Sequence, residues 1–137
     1  MQLNSYLVFD GSAEAAFNFY QQSLGGKIVA MFKHADTPAA AHVPADWQDK
    51  IMHIALQTGN NVLMGSDAPP DHYKKPQGFS VNIQIQDVAE AERVFAALSE
   101  GAKVTMPIQQ TFWAARFGML TDRFGVPWMI NCEGAKQ

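Results

Sequence analysis

Hydrophobic and polar positions change their spacing several times along the chain, and each change predicts an element. Leu3 to Phe9 is rich in apolar and aromatic residues and short enough for a strand. Asp10-Gly11-Ser12 interrupts it, and Ala13, Ala16, Phe17, Tyr20 and Leu24 then recur with the spacing of one helical stripe. Ser12 stands where an N-cap belongs, Glu14 suits the positive end of the helix dipole, and Gly25-Gly26 can terminate the helix. A strand is predicted over Lys27 to Lys33. About sixteen residues follow, Ala35 to Lys50, holding two Pro, five Ala, His42 and Trp47. A loop of that length predicts a lid or a mobile segment, with Trp47 and His42 either closing over a cavity or standing at an exposed tip. Ile51 to Gln57 and Val62 to Met64 read as a hairpin around Thr58-Gly59-Asn60-Asn61, residues tolerant of positive φ.

After a linker with Pro69, Pro70 and Pro76, the same order recurs. Phe79, Val81, Ile83 and Ile85 alternate with Ser80, Asn82 and Gln84, which predicts a strand with one apolar and one polar face. Asp87 and Glu90 resemble a capping box. Behind them Val88, Ala91, Val94, Phe95 and Leu98 form a helical stripe that Gly101 ends. Lys103 to Ile108 and Phe112 to Leu120 read as a pair of strands, Asp122-Arg123-Phe124-Gly125 as a turn, and Val126 to Cys132 as the last strand. The chain is thus strand, helix and three strands, written twice with a repeat of about 75 residues. One such unit is too small to close a core alone, so two must pack together. Each sheet then places one face under its helix and turns the other to a shared concavity, where a ligand would bind.

Composition narrows the partners. The 137 residues are 47% hydrophobic and 17% charged, with nine Phe, three Trp and three Tyr, which excludes disorder and suits one domain. The net charge is −3, and Lys74-Lys75 is the one adjacent cationic pair, so nucleic acid is not an expected partner. No apolar run approaches the ~20 residues that span a bilayer, and Met1-Gln2-Leu3-Asn4 lacks the features of a signal peptide. No membrane association is expected. The single cysteine, Cys132, has no intrachain partner and points to a reducing, cytoplasmic setting.

Several segments resemble a known family: Tyr6-Leu7-Val8-Phe9-Asp10-Gly11 leading into Ala16-Phe17-Asn18-Phe19-Tyr20, then Lys50-Ile51-Met52-His53, and above all the run from Thr111 to Trp128. Together they are similar to the vicinal oxygen chelate superfamily (glyoxalase I, bleomycin-resistance proteins, extradiol dioxygenases), and within it to the PhnB-like branch often labelled with a demethylubiquinone methyltransferase name. The resemblance implies an α+β fold. Two βαβββ modules form a cupped mixed β-sheet with a helix behind each, in a single domain over 1–137: module 1 about 1–67, linker about 68–77, module 2 about 78–134. It also implies a homodimer and a small-molecule ligand. In metal-dependent members His or Gln, Glu, His and Glu converge; the matching positions here are Ser5, Met64 or Gly65, Ser80 and Met129. Neutral hydroxyls and thioethers hold no Zn²⁺, Ni²⁺ or Fe²⁺ firmly, so the glyoxalase-type metal site is expected to be absent and no cofactor is expected. His34, His42, His53 and His72 show no H-x-x-H or H-x-x-x-H pairing, and no G-x-G loop supports S-adenosylmethionine binding.

The candidate ligand-binding residues are Ser5, His53, Ser80, Asn82, Gln84, Trp113, Arg116, Met129 and Asn131. Ser80, Asn82 and Gln84, with Met129, Asn131 and Glu133, either line a pocket with neutral donors and acceptors or form a solvated polar face. His53, flanked on its own side by Ile51 and Ala55, is either an acid–base candidate or a hydrogen-bonded structural residue. Arg116 suits a carboxylate or phosphate, or else a surface ion pair. Trp113 suits a pocket wall or the core. Cys132 alternates with Trp128 and Ile130 and reads as a buried small hydrophobe, and Asp122 serves its turn. The leading functional expectation is metal-independent binding of a small molecule. The alternatives are an enzyme using His53 or a non-standard metal site, and a protein-interaction module.

Overall fold

Each hydrophobic stripe finds its sheet within its own half of the chain. The computed structural model describes residues 1–134, and the chain divides into two compact units, Met1–Lys74 and Lys75–Gln137. The first unit contains β1 (Tyr6–Phe9), α1 (Ala13–Leu24), β2 (Lys27–Lys33), β3 (Ile51–Thr58) and β4 (Asn61–Asp67). Its four-stranded sheet has the order β1-β4-β3-β2, with β1 parallel to β4 and the other pairs antiparallel. The second unit contains β5 (Val81–Gln84), α2 (Val88–Leu98), β6 (Lys103–Gln109), β7 (Arg116–Thr121) and β8 (Pro127–Cys132). Its order, β5-β8-β7-β6 with β5 parallel to β8, repeats the first. The fold is α+β, made of two βαβββ modules.

Aromatic side chains seat both helices. Phe17 of α1 is fully buried, and a Cβ added at Gly65 of β4 would stand 2.7 Å from its Cε1 and 2.8 Å from the Leu7 carbonyl. Phe95 of α2 presses on Gly118 of β7 in the same way, 2.6 Å from such a Cβ. Only glycine admits so close an approach. Leu7, Phe9, Ala16, Tyr20, Ile54 and Leu56 complete the first core, and Val94, Leu98, Leu120, Val126, Trp128 and Ile130 the second, all buried. Burial of each large aliphatic or aromatic side chain contributes about 1.5–3 kcal/mol.

The cap of α1 differs from expectation. The Ser12 side chain makes no capping hydrogen bond. The buried carboxylate of Asp67 replaces it: Oδ1 accepts from the amides of Gly11 at 3.0 Å and Ala13 at 2.9 Å, while Oδ2 accepts from Ile51 at 2.9 Å. On α2 the expected cap is present, with Asp87 accepting from the Glu90 amide at 2.9 Å.

The long segment after β2 is turned and hydrogen-bonded along its length. It forms three short 3₁₀ turns, His34–Asp36, Pro38–His42 and Ala45–Trp47. His34 and Ala35 donate their amides to Lys50 and Gln48, each at 2.9 Å, and the Gln48 side chain donates to the Ala40 carbonyl at 3.0 Å. Its Trp47 and His34 are buried, and His34 Nε2 lies 3.2 Å from the Asp67 carbonyl.

Three strands start later than their hydrophobic patterns suggest. β1 begins at Tyr6, leaving Leu3 exposed, and β5 begins at Val81, leaving Phe79 half-exposed. β7 begins at Arg116 because Thr111 turns the chain: its amide donates to the Ala114 carbonyl at 3.0 Å and its hydroxyl accepts from the Ala114 amide at 3.1 Å. No helix among the described residues is long and apolar enough to cross a membrane.

Candidate functional site

Because Gly65 faces α1, its neighbours Leu7 and Ile54 face α1 too, and the alternate residues face away. On this open face Tyr6, Met64, Ala55 and Ala30 pair in a row across all four strands. His53 pairs with Phe32, and Val8 with Ser66. The Tyr6 hydroxyl lies 3.2 Å from His53 Nδ1, and the two rings stack at 5.8 Å between centroids with a 28° interplanar angle. Tyr6 and Phe32 are 45% and 47% exposed, so α1 and the first core leave aromatic surface uncovered here. The charged residues of these strands, Lys27, Lys33 and Asp67, stand at strand ends, and the Asp67 carboxylate is occupied by three amides.

The open face of the second unit has a different chemistry. Gly118 and Ile130 face α2, so one row runs Asn82, Met129, Met119, Met106 and the next Gln84, Asn131, Phe117, Gln109. Neither row carries a charge. Asn131 Nδ2 donates to Gln84 Oε1 at 3.1 Å, while Asn131 Oδ1 is buried without a partner. An unpaired buried acceptor costs about 1–3 kcal/mol, which a group able to donate to it would offset. Beside Asn131, Phe117 is covered edge-on by Trp113 at 5.3 Å, and Trp113 in turn meets the fully exposed Phe112 at 4.8 Å.

The candidate residues thus separate. Asn82, Gln84, Met129 and Asn131 lie together on one open face, and His53 lies on the other. Ser80 sits just before β5, half-buried. Ser5 precedes β1, exposed, with its carbonyl accepting from the Met64 amide at 3.1 Å; Tyr6, one residue on, takes the first open-face position. Trp113 stands in the turn before β7. Arg116 shares the α2 side of its sheet with Gly118: Nε donates to Glu92 of α2 at 2.8 Å and Nη1 to the Ala115 carbonyl at 2.6 Å. Asp122 does more than close its turn, accepting from the Phe124 and Val126 amides and from Trp128 Nε1 at 2.8, 3.0 and 2.8 Å.

Tyr6 and Phe32 were not readable as neighbours of His53 on one sheet face. The alternation of Tyr6 and Val8 against Leu7 and Phe9 marks two faces, but it does not say that β1 and β3 flank β4 and so bring Tyr6 to His53.

The metal that the family resemblance implies finds poor donors. The open-face pairs joining β1 to β4 and β5 to β8 are Tyr6 with Met64, Val8 with Ser66, Asn82 with Met129 and Gln84 with Asn131: a phenol, a hydroxyl, three amides and two thioethers, with no imidazole or carboxylate. Among the described residues no three His, Cys, Asp or Glu side chains gather into a group able to hold a metal ion. These donors do not fit a hard or borderline divalent ion.

Comparison with known proteins agrees with this architecture. A protein of Pseudomonas aeruginosa, PA1353, has a crystal structure that superimposes with a TM-score of 0.90, with 49% identity, covering 98% of this chain and 99% of that one. A Bacillus cereus PhnB protein, named for 3-demethylubiquinone-9 3-methyltransferase, shares the fold with a TM-score of 0.79 at 21% identity, over 96% of this chain and 99% of that one. The Escherichia coli protein YjdN is 35% identical over 139 aligned positions, 96% of this chain and 95% of its own length. Residues 2–130 match the sequence profile of the Glyoxalase/Bleomycin resistance protein/Dioxygenase superfamily, and the chain belongs to that family.

Proposed function

We propose that the protein is a metal-independent binder of a small, largely uncharged organic molecule, acting in the cytoplasm as a homodimer. The observation that carries this reading is the open face of the first unit, where the half-exposed rings of Tyr6 and Phe32 stand beside the hydrogen-bonded but accessible imidazole of His53. Aromatic walls with few polar groups are the usual make-up of a small-molecule site. The charge-free rows holding Asn82, Gln84, Met129 and Asn131 on the second unit support the same class of ligand. The methyltransferase name of the Bacillus cereus relative is not carried over, because the chain has no G-x-G loop for the nucleotide part of S-adenosylmethionine.

The test is a thermal-shift screen of untagged protein against aromatic drugs, amino acids, ketoacids and phosphonates, with transition-metal content measured in parallel. Ligand at a hundredfold excess over Kd stabilises by about 2.7 kcal/mol, a readily measured shift. A saturable hit among the uncharged aromatics supports the reading; stoichiometric, tightly held metal overturns its metal-independent part.

A second reading, an enzyme using His53 in acid–base chemistry, is favoured by the hydrogen bond to Tyr6, since it holds one ring nitrogen and leaves the other free to act.

A further inference from the structure

We propose that Met106, Met119 and Met129 form a site for a soft monovalent metal ion such as Cu(I) on the open face of the second unit. Met129 of β8 pairs directly with Met119 of β7, and Met119 with Met106 of β6. Three thioethers thus stand in one row across three neighbouring strands. Directly opposed side chains on one sheet face stand about 4.5–5.5 Å apart at Cβ. Met119 is the centre of the row, and each outer methionine, with three rotatable bonds, can lean its sulfur over it. All three are half-buried, on the face away from α2. The inference goes beyond the small-molecule reading, whose carrying observation lies on the open face of the first unit.

The chemistry of the row decides which ion fits. Thioether sulfur is soft and uncharged, and such donors select Cu(I) over hard or borderline divalent ions. Cu(II) prefers nitrogen and oxygen donors in a tetragonal array, which three sulfurs do not supply. Charges on this face stand off the row. Lys103, opposite Thr121 at the start of β6, and Glu133, beyond the end of β8, are both exposed. Arg116 lies on the α2 side, where it donates to Glu92. His34, His42, His53 and His72 all belong to the first unit. Cys132 is buried on the α2 side of β8, its Sγ 3.4 Å from the Gln86 carbonyl. The methionine row is therefore the accessible soft donor set of the second unit among the described residues. Neutral donors leave the charge of the ion uncompensated, so it exchanges freely and binds only when supplied.

The probe is Ag(I), which stays monovalent in air, titrated in chloride-free buffer into the whole chain labelled with carbon-13 at the methionine methyl groups. Of the seven methionines, Met106, Met119 and Met129 are expected to shift together and to saturate at one ion per chain. A thioether loses no proton on binding, so the affinity should not change between about pH 5 and 8. A histidine site, or the Cys132 thiol, would weaken in acid over that range. Met119→Leu nearly keeps the side-chain volume and is expected to weaken binding more than about tenfold, since even changes behind a metal's own ligands cost about 10–100-fold. Met64→Leu, in the first unit, is expected to leave binding unchanged. Shifts confined to other methionines, an affinity that falls in acid, or one unchanged in Met119→Leu overturns the inference. So does the absence of any saturable shift. None of these outcomes touches the small-molecule reading, which the thermal-shift screen tests by itself.

Discussion

The carboxylate of Asp67, at the end of β4, holds the first amide of α1, that of Ala13, across 54 residues of sequence. The same side chain also holds Gly11 and Ile51, so one buried group joins the β1–α1 turn, β3 and β4. Asp67→Ala would leave three amides without their acceptor and is expected to cost about 3 kcal/mol or more in urea unfolding. Ser12→Ala, at the residue that by position should cap the helix, is expected to change stability by no more than about 0.5 kcal/mol, because its hydroxyl makes no cap. Equal effects of the two substitutions would contradict this assignment.

Gly65→Ala and Gly118→Ala are each expected to destabilise by about 1–3 kcal/mol, through overpacking against Phe17 and Phe95. Combining Gly65→Ala with Phe17→Leu should recover only part of the loss, since the Leu7 carbonyl still stands 2.8 Å from the new methyl group. Chemical denaturation of the single and double variants reads this directly.

The first turn of helix α2 is expected to respond to pH. Arg93 hydrogen-bonds and ion-pairs with Glu90, and holds its carboxyl below the usual carboxylate value. A depressed carboxyl stabilises the fold above its unfolded value, and that contribution is lost as the pH falls through the folded value. The melting temperature of Glu90→Gln should therefore lie slightly below wild type at neutral pH and converge with it in acid. Asp87→Ala, by contrast, removes the cap itself and should cost about 1 kcal/mol at neutral pH.

Arg116 is engaged with Glu92 on the α2 side of its sheet, and the two side chains are 31% and 50% exposed. Arg116→Gln is expected to cost no more than about 1 kcal/mol and to leave unchanged the affinity for a ligand found in the thermal-shift screen. A large loss of affinity on removing Arg116 would return it to the site.

Much of the architecture was legible because it depends on local periodicity. Ala13 to Leu24 and Val88 to Leu98 form helices over the ranges their stripes predict, and Asp87 caps as its spacing to Glu90 suggests. Elements failed at their edges, where hydrophobicity continues but pairing stops. Leu3, Phe79 and Phe112 extend their apolar runs yet lie outside the strands, since strand ends are set by neighbours and turns such as the one at Thr111. The order within Ala35 to Lys50 was not legible for a related reason: its 3₁₀ turns are held by non-adjacent backbone contacts, and Trp47 is buried rather than presented at a tip.

The candidate site divides along the same line. Alternation along a strand decides which residues share a face, and Asn82 with Gln84, or Met129 with Asn131, could be grouped from sequence alone because a pleated strand has a period of two. Which face lies beneath a helix, which strands are neighbours, and which side chains meet were decided by tertiary structure. Tyr6 reaches His53 only because β4 pairs with both β1 and β3, and Arg116, open in the sequence between ligand binding and a surface ion pair, meets Glu92 on the side of the sheet where Gly118 seats Phe95. Period is a property of the backbone and is written into every residue. Adjacency between distant strands is settled by register, burial and close packing, which no single stretch of the chain contains.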